Sequence, residues 1–175
     1  HETPTKIDAE VADIDGESSA DVVTGLQTGN NERFVRHCWE TSSQDDYFPY
    51  SKGGSEAWIM PQLNLELNWR SDGKEIKRIE GSRPQNTEFY FQSGLTWTYI
   101  KRTGRRFGYL PSGCVFDVGG SMLFPKNNDT TWSYMSILNS TLYHGLFLSI
   151  TPERQWNQAM LANYLGSNTW KETMN

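Results

Sequence analysis

Long apolar runs are missing from this 175-residue chain. The longest, from Leu142 to Ile150, is short and interrupted by His144 and Gly145, which excludes a membrane-spanning helix there. Cysteine is scarce. Cys38 and Cys114 carry no metal-ligand spacing, and such a pair reads as two free thiols of a reducing cytosol ahead of a single disulfide. The start, "HETPTKIDAE", is polar and acidic and has no export signal; lacking Met, it is expected to be a processed or excised segment. Catalytic signatures are absent too: there is no His-Glu-x-x-His, no Gly-x-Ser-x-Gly, no Walker loop and no paired Cys/His ligand set. No internal repeat is visible.

Aromatics are abundant instead. Seven Trp, eight Tyr and eight Phe make up 13% of the residues, in a chain only 36% hydrophobic. Large rings bury much area each, so one folded domain with a proper core is expected. The formal charge is −5, a poor sign for a polyanion binder, but it is unevenly spread. Residues 1–32 hold eight acids against Lys6, which leaves the remainder of the chain two positive. Within that remainder, residues 70–106 carry nine bases against four acids. A partner responds to that local sign, so global acidity does not exclude DNA.

Residues 1–20, rich in Glu, Asp, Ser and Thr, read as an acidic linker or arm. "ADVVTGLQTGNNERFVRHCWE" reads as a short strand, a glycine-bounded loop, then a strand or short helix. Leu63, Leu65, Leu67 and Trp69 alternate with polar residues, the clearest strand pattern in the chain. "SDG" is a turn, and "KEIKRIE" a short helix with Ile76 and Ile79 inward. "TEFYFQSGLTWTYI" predicts two strands around Ser93-Gly94, and "RRFGYLPSGCVFDVGGSMLFP" two or three more. From Trp132 the pattern turns helical, with Thr151 as N-cap and Pro152 opening a last helix. The expected fold class is α+β: a mixed, mostly antiparallel β-sheet core with short helices and a helical C-terminal part.

Individual motifs are ambiguous. Asp117, in "VFDVGG", is the one acid in a distinctive setting, and the favoured reading is a carboxylate that ends a strand and caps a turn. His37 is the only candidate base, with a structural role favoured. The loop "GLQTGNN" lacks the Gly-x-Gly-x-x-Gly order and by spacing alone is an ordinary turn. Its company raises a second reading: Arg33, Arg36, Lys52 in "YSKGG", and the run "KRTGRR" at 101–106 suit phosphate contact beside glycines and short polar side chains. Taken alone, "KRTGRR" is a solvated hairpin tip. Among several basic loops it becomes an arm into a DNA groove. Trp69, Trp97 and Tyr99 read as core; exposed, they would stack on bases or sugars.

In order, "ADVVTGLQTGNNERFVRHCWE", "YFPYSKGG", "LELNWRSDGKEIK", "FYFQSGLTWTYI", "FGYLPSGCVFDVGGSMLFP" and "ILNS" resemble the target-recognition region of a known family. These are the large adenine-specific DNA methyltransferases of BREX and phage-growth-limitation defence systems, with related fused restriction-modification enzymes. The resemblance covers roughly residues 20 to 140 and departs after Ser140. Together with the acidic composition of the start and the helical pattern of the end, it gives three expected parts: the arm 1–20, a target-recognition domain 21–140, and a C-terminal helical segment 141–175 packing on it.

The resemblance also implies S-adenosylmethionine and adenine N6 transfer for the parent enzyme. The chain itself has no Asn/Asp-Pro-Pro-Tyr/Phe tetrapeptide and no glycine motif for that cofactor, so neither cofactor nor catalysis is expected of it. Thr28, Asn30, Asn31, Arg33 and Lys52, with Arg36 beside them, are expected to contact DNA phosphates or the neighbouring methyltransferase domain. Arg83, Gln85, Asn86, Arg102, Arg105 and Arg106, with Lys101 in the same basic run, are candidates for the major groove. There Arg fits guanine edges, and Asn or Gln fits adenine. The expected partners are double-stranded DNA and the methyltransferase domain of the same parent chain, with a monomeric, cytoplasmic protein and no membrane. A carbohydrate-binding module or a standalone hydrolase or nuclease domain is the alternative.

Overall fold

A computed structural model describes residues 19–41, 46–53, 59–97, 107–150 and 161. Tyr99, the basic run 101–106 and the expected helix opening at Thr151 and Pro152 lie outside the described residues, Leu161 apart, as does the acidic arm up to residue 18.

Two four-stranded sheets organise the described residues. The first runs β1 (Ala20–Val23), β8 (Met122–Pro125), β5 (Gly94–Trp97), β6 (Phe107–Leu110), all antiparallel. The second runs β2 (Val35–His37), β4 (Leu65–Asn68), β3 (Tyr47–Ser51), β7 (Val115–Phe116), antiparallel except for the parallel β3–β7 pair. The mixed, mostly antiparallel core with short helices is the expected class.

Strand alternation sorts the first sheet's side chains to two different faces. Ala20, Val22, Leu95, Trp97, Phe107 and Leu123 join α3 (Thr131–Leu138) and α4 (Thr141–Ile150) through Met135, Leu138, Tyr143 and Phe147. Val23, Leu110, Met122 and Phe124 point the other way, to Leu26, Tyr50, Leu67, Val115 and Phe116 of the second cluster. The first sheet is thus covered on both sides, and every residue of β8 is buried. Trp69 and Trp97 are core as expected, Cys114 is buried and Cys38 exposed, both free thiols.

One expected strand is corrected. "TEFYFQ" is a 3-10 turn (Thr87–Phe89) followed by an irregular bend in which Phe91 has φ 65°. The rings of Phe89, Tyr90 and Phe91 meet Phe124, Phe116 and Phe48 at centroid distances of 5.0, 5.3 and 5.0 Å, all within one cluster. A strand would send the middle ring to the opposite face. Burying three successive aromatics together therefore requires a turn. The strand expected over 63–69 is shorter, Leu65–Asn68, with Trp69 already leaving it.

Candidate nucleic-acid interface

Three of the quoted blocks, "GLQTGNN", "YSKGG" and "VFDVGG", meet at the edge of the second sheet. After β1 the chain leaves the first sheet, and Leu26 forms a parallel bridge with Asp117 beside β7. The Leu26 N–H donates to the Phe116 carbonyl (2.8 Å), and the Val118 N–H to the Leu26 carbonyl (3.1 Å). On the far side of the same segment, the Asp117 N–H donates to the Ser51 carbonyl (2.8 Å). Gln27 and Arg83 then exchange two backbone bonds, of 3.0 and 2.8 Å. The sheet is thereby extended through loop 25–31 to loop 80–86.

Asp117 locks this junction. One carboxylate oxygen accepts the Tyr50 hydroxyl (2.6 Å) and the other the Gly119 N–H (2.7 Å), so it ends a strand and caps a turn as the favoured reading had it. Burial, and then the Asp117 charge, push the Tyr50 pKa far above its ordinary value, so the hydroxyl remains a donor. Gly53 closes the corner. Its φ is +71°, and a Cβ there would stand 2.4 Å from the Gly119 carbonyl oxygen. This glycine-rich corner is filled by the protein's own backbone. It is no open cradle.

The loop "GLQTGNN" is organised from within. Thr28, 3% exposed, donates its hydroxyl to Asn31 Oδ1 (2.7 Å). Asn30 caps α1 (Asn31–Phe34) by accepting the Arg33 N–H (3.0 Å). Arg33 pairs with Glu75 (3.4 Å), with both side chains largely exposed. The Arg36 guanidinium donates to the carbonyls of Glu32 and Val35. Asn86 donates its amide to the Thr24 carbonyl (2.9 Å), and the Ser82 hydroxyl reaches the Gln27 carbonyl (3.3 Å). Arg83 is exposed, while Gln85 and Lys52 are half-buried.

The structure thus joins loop 25–33 directly to loop 80–86, and joins Lys52 to them through the Asp117 corner. Lys101, Arg102, Arg105 and Arg106 lie outside the described residues. Sequence reasoning read residues 70–78 as a turn and a short helix but named no site residue there. There α2 (Arg70–Gly73) is a single turn in which Ser71 (φ 51°), Asp72 (φ 58°) and Gly73 (φ 66°) are all left-handed. Gly73 lies against the Trp69 ring, where a Cβ would come within 2.5 Å. The signal available in the sequence was "SDG", which marks a turn but not its hand.

Trp69 and Trp97 are 4% and 3% exposed, leaving neither ring free to stack on a sugar. Among the described residues no three His, Cys, Asp or Glu cluster in a way that could hold a metal ion. No helix among them is long and apolar enough to cross a membrane.

The loop edge thus sets cations around a closed glycine corner. The chain is related to part of the adenine-specific methyltransferases of BREX systems. It is 32% identical, over 130 aligned residues covering 67% of its length, to the adenine-specific methyltransferase BrxX of Escherichia coli O9:H4 (strain HS). It is 26% identical, over 161 residues and 79% of its length, to the adenine-specific methyltransferase PglX of Lacticaseibacillus casei (strain Zhang). The chain spans only 11% and 13% of those two proteins. It matches no protein-family model.

Proposed function

We propose that this chain is the DNA target-recognition part of a larger adenine-specific methyltransferase in a phage-defence or restriction-modification system. The observation that carries the reading is the meeting of loops 25–33, 50–53, 80–86 and 116–120 on one edge, with Arg33, Lys52 and Arg83 at its surface. A closed, hydrogen-bonded corner holds these loops in place, while their cations and short polar side chains suit phosphates and base edges. S-adenosylmethionine and the methyl transfer to adenine N6 belong to the rest of the parent. This chain's part is to hold the duplex in register while a base is presented to the catalytic domain.

A salt titration of the 175-residue chain against duplex DNA tests the reading. Binding is expected to weaken steeply with salt, log K falling by about 0.9 per log unit of salt for each phosphate contacted. Absence of duplex binding even at low salt refutes it.

A further inference from the structure

Beyond the loops just described, the turn that follows α2 carries "KEIKR", residues 74–78. Lys74 (φ −54°) and Glu75 (φ −70°) are right-handed helical and lead into the 3-10 turn Ile76–Arg78. Ile76 is fully buried and Ile79 half-buried, so the turn is anchored from below and its charged side chains face water. Backbone bonds from Arg78 to Glu75 and from Ile79 to Ile76, each 3.1 Å, tie it together. The Ser82 N–H then bonds the Ile79 carbonyl (3.1 Å), and the Ser82 hydroxyl reaches Gln27. The turn is continuous with the proposed DNA-facing edge.

Its charges sort cleanly. Lys77 folds back, with Nζ 2.7 Å from Asp72 and 5.5 Å from the centre of the Trp69 ring. Glu75 is engaged by Arg33. Lys74 and Arg78 are exposed and have no carboxylate partner among the described residues. They stand four residues apart at the two ends of a turn closed by i→i−3 bonds, about 8 Å along its axis at 3-10 rise, and both side chains are exposed. Two exposed cations without a carboxylate partner among the described residues make this end of the edge locally positive, the sign to which a polyanion responds.

We infer that Lys74 and Arg78 grip neighbouring phosphates of one DNA strand, with Glu75 holding Arg33 in reserve between them. The inference rests on the DNA-recognition reading and deepens it, adding contacts that carry register but no sequence information.

The test uses the whole 175-residue chain, a fluorescein-labelled duplex and a sodium chloride series, repeated with a second duplex of unrelated sequence. In Lys74→Gln/Arg78→Gln the slope of log K against log salt is expected to flatten by about 1.8, equally on both duplexes. Glu75→Gln, which removes a negative charge and releases Arg33, is expected to tighten binding. Unchanged circular dichroism and melting in all variants separate these effects from unfolding. If the wild type binds with a steep slope and the double variant keeps it, the phosphate grip is wrong while the DNA reading stands. Flattening on one duplex alone likewise overturns the grip, because it signals base reading. If the wild type binds no duplex, both fall together.

Discussion

The helix-covered sheet and the glycine-cornered sheet hold together by different means. In the first, Leu95, Trp97, Phe107 and Leu123 fill space against Met135, Leu138, Tyr143 and Phe147. In the second, large rings are also buried, but the edge is set by backbones in close approach: Gly53 on Gly119, Leu26 on Phe116, Gln27 on Arg83. Side-chain packing relaxes by small movements and tolerates swaps of similar volume. Backbone contact at a positive-φ glycine has no such slack. The first region is a support, and the second can present loops in fixed positions.

Paired substitutions break or sharpen that contrast. Leu123→Ala, at a fully buried position, is expected to cost about 2–5 kcal/mol in urea unfolding, and Leu123→Met less than about 1.5 kcal/mol. Gly53→Ala adds a single methyl group yet is expected to cost clearly more than about 1 kcal/mol, since its φ is unfavourable and the Gly119 carbonyl must move. A neutral Gly53→Ala would remove the contrast. Tyr50→Phe deletes one donor to Asp117 and is expected to cost about 1–2 kcal/mol while leaving the ring packing intact, measured by melting.

The smallest effect is one of pH. Burial raises the Cys114 thiol from an ordinary 9.0 to about 11. A group with a raised folded pKa stabilises fully below its unfolded value and loses that contribution as pH rises through the folded one. Stability should therefore decline between about pH 9 and 11, and less steeply in Cys114→Ala. Equal slopes would place the alkaline loss elsewhere, with Tyr50 and Tyr90, whose pKa values burial also raises, as the next groups to change.

Much of this was legible before any coordinates. Period-two alternation found β4, and the late helical pattern became α3 and α4. Asp117 as a strand-ending cap was readable because short carboxylates before glycines commonly take that role. The "TEFYFQ" stretch misled because strand propensity counts aromatics without asking which way each must point. The exposure of candidate residues was hidden as well. Thr28 and Asn86 carry polar groups like those of their neighbours, but the fold spends them on Asn31 and Thr24.

By itself, then, the sequence determined the alternation of apolar and polar residues, the turn points and the uneven charge, because these depend on near neighbours along the chain. Tertiary structure alone decided that loops 25–33 and 80–86 share an edge, and that Lys77 is paired while Lys74 and Arg78 are free of carboxylates among the described residues. The shared edge depends on contacts between residues dozens of positions apart, such as Gln27 with Arg83, and the Lys77–Asp72 pair on the left-handed turn at Ser71 and Asp72; local pattern records neither the separation nor the hand of the turn.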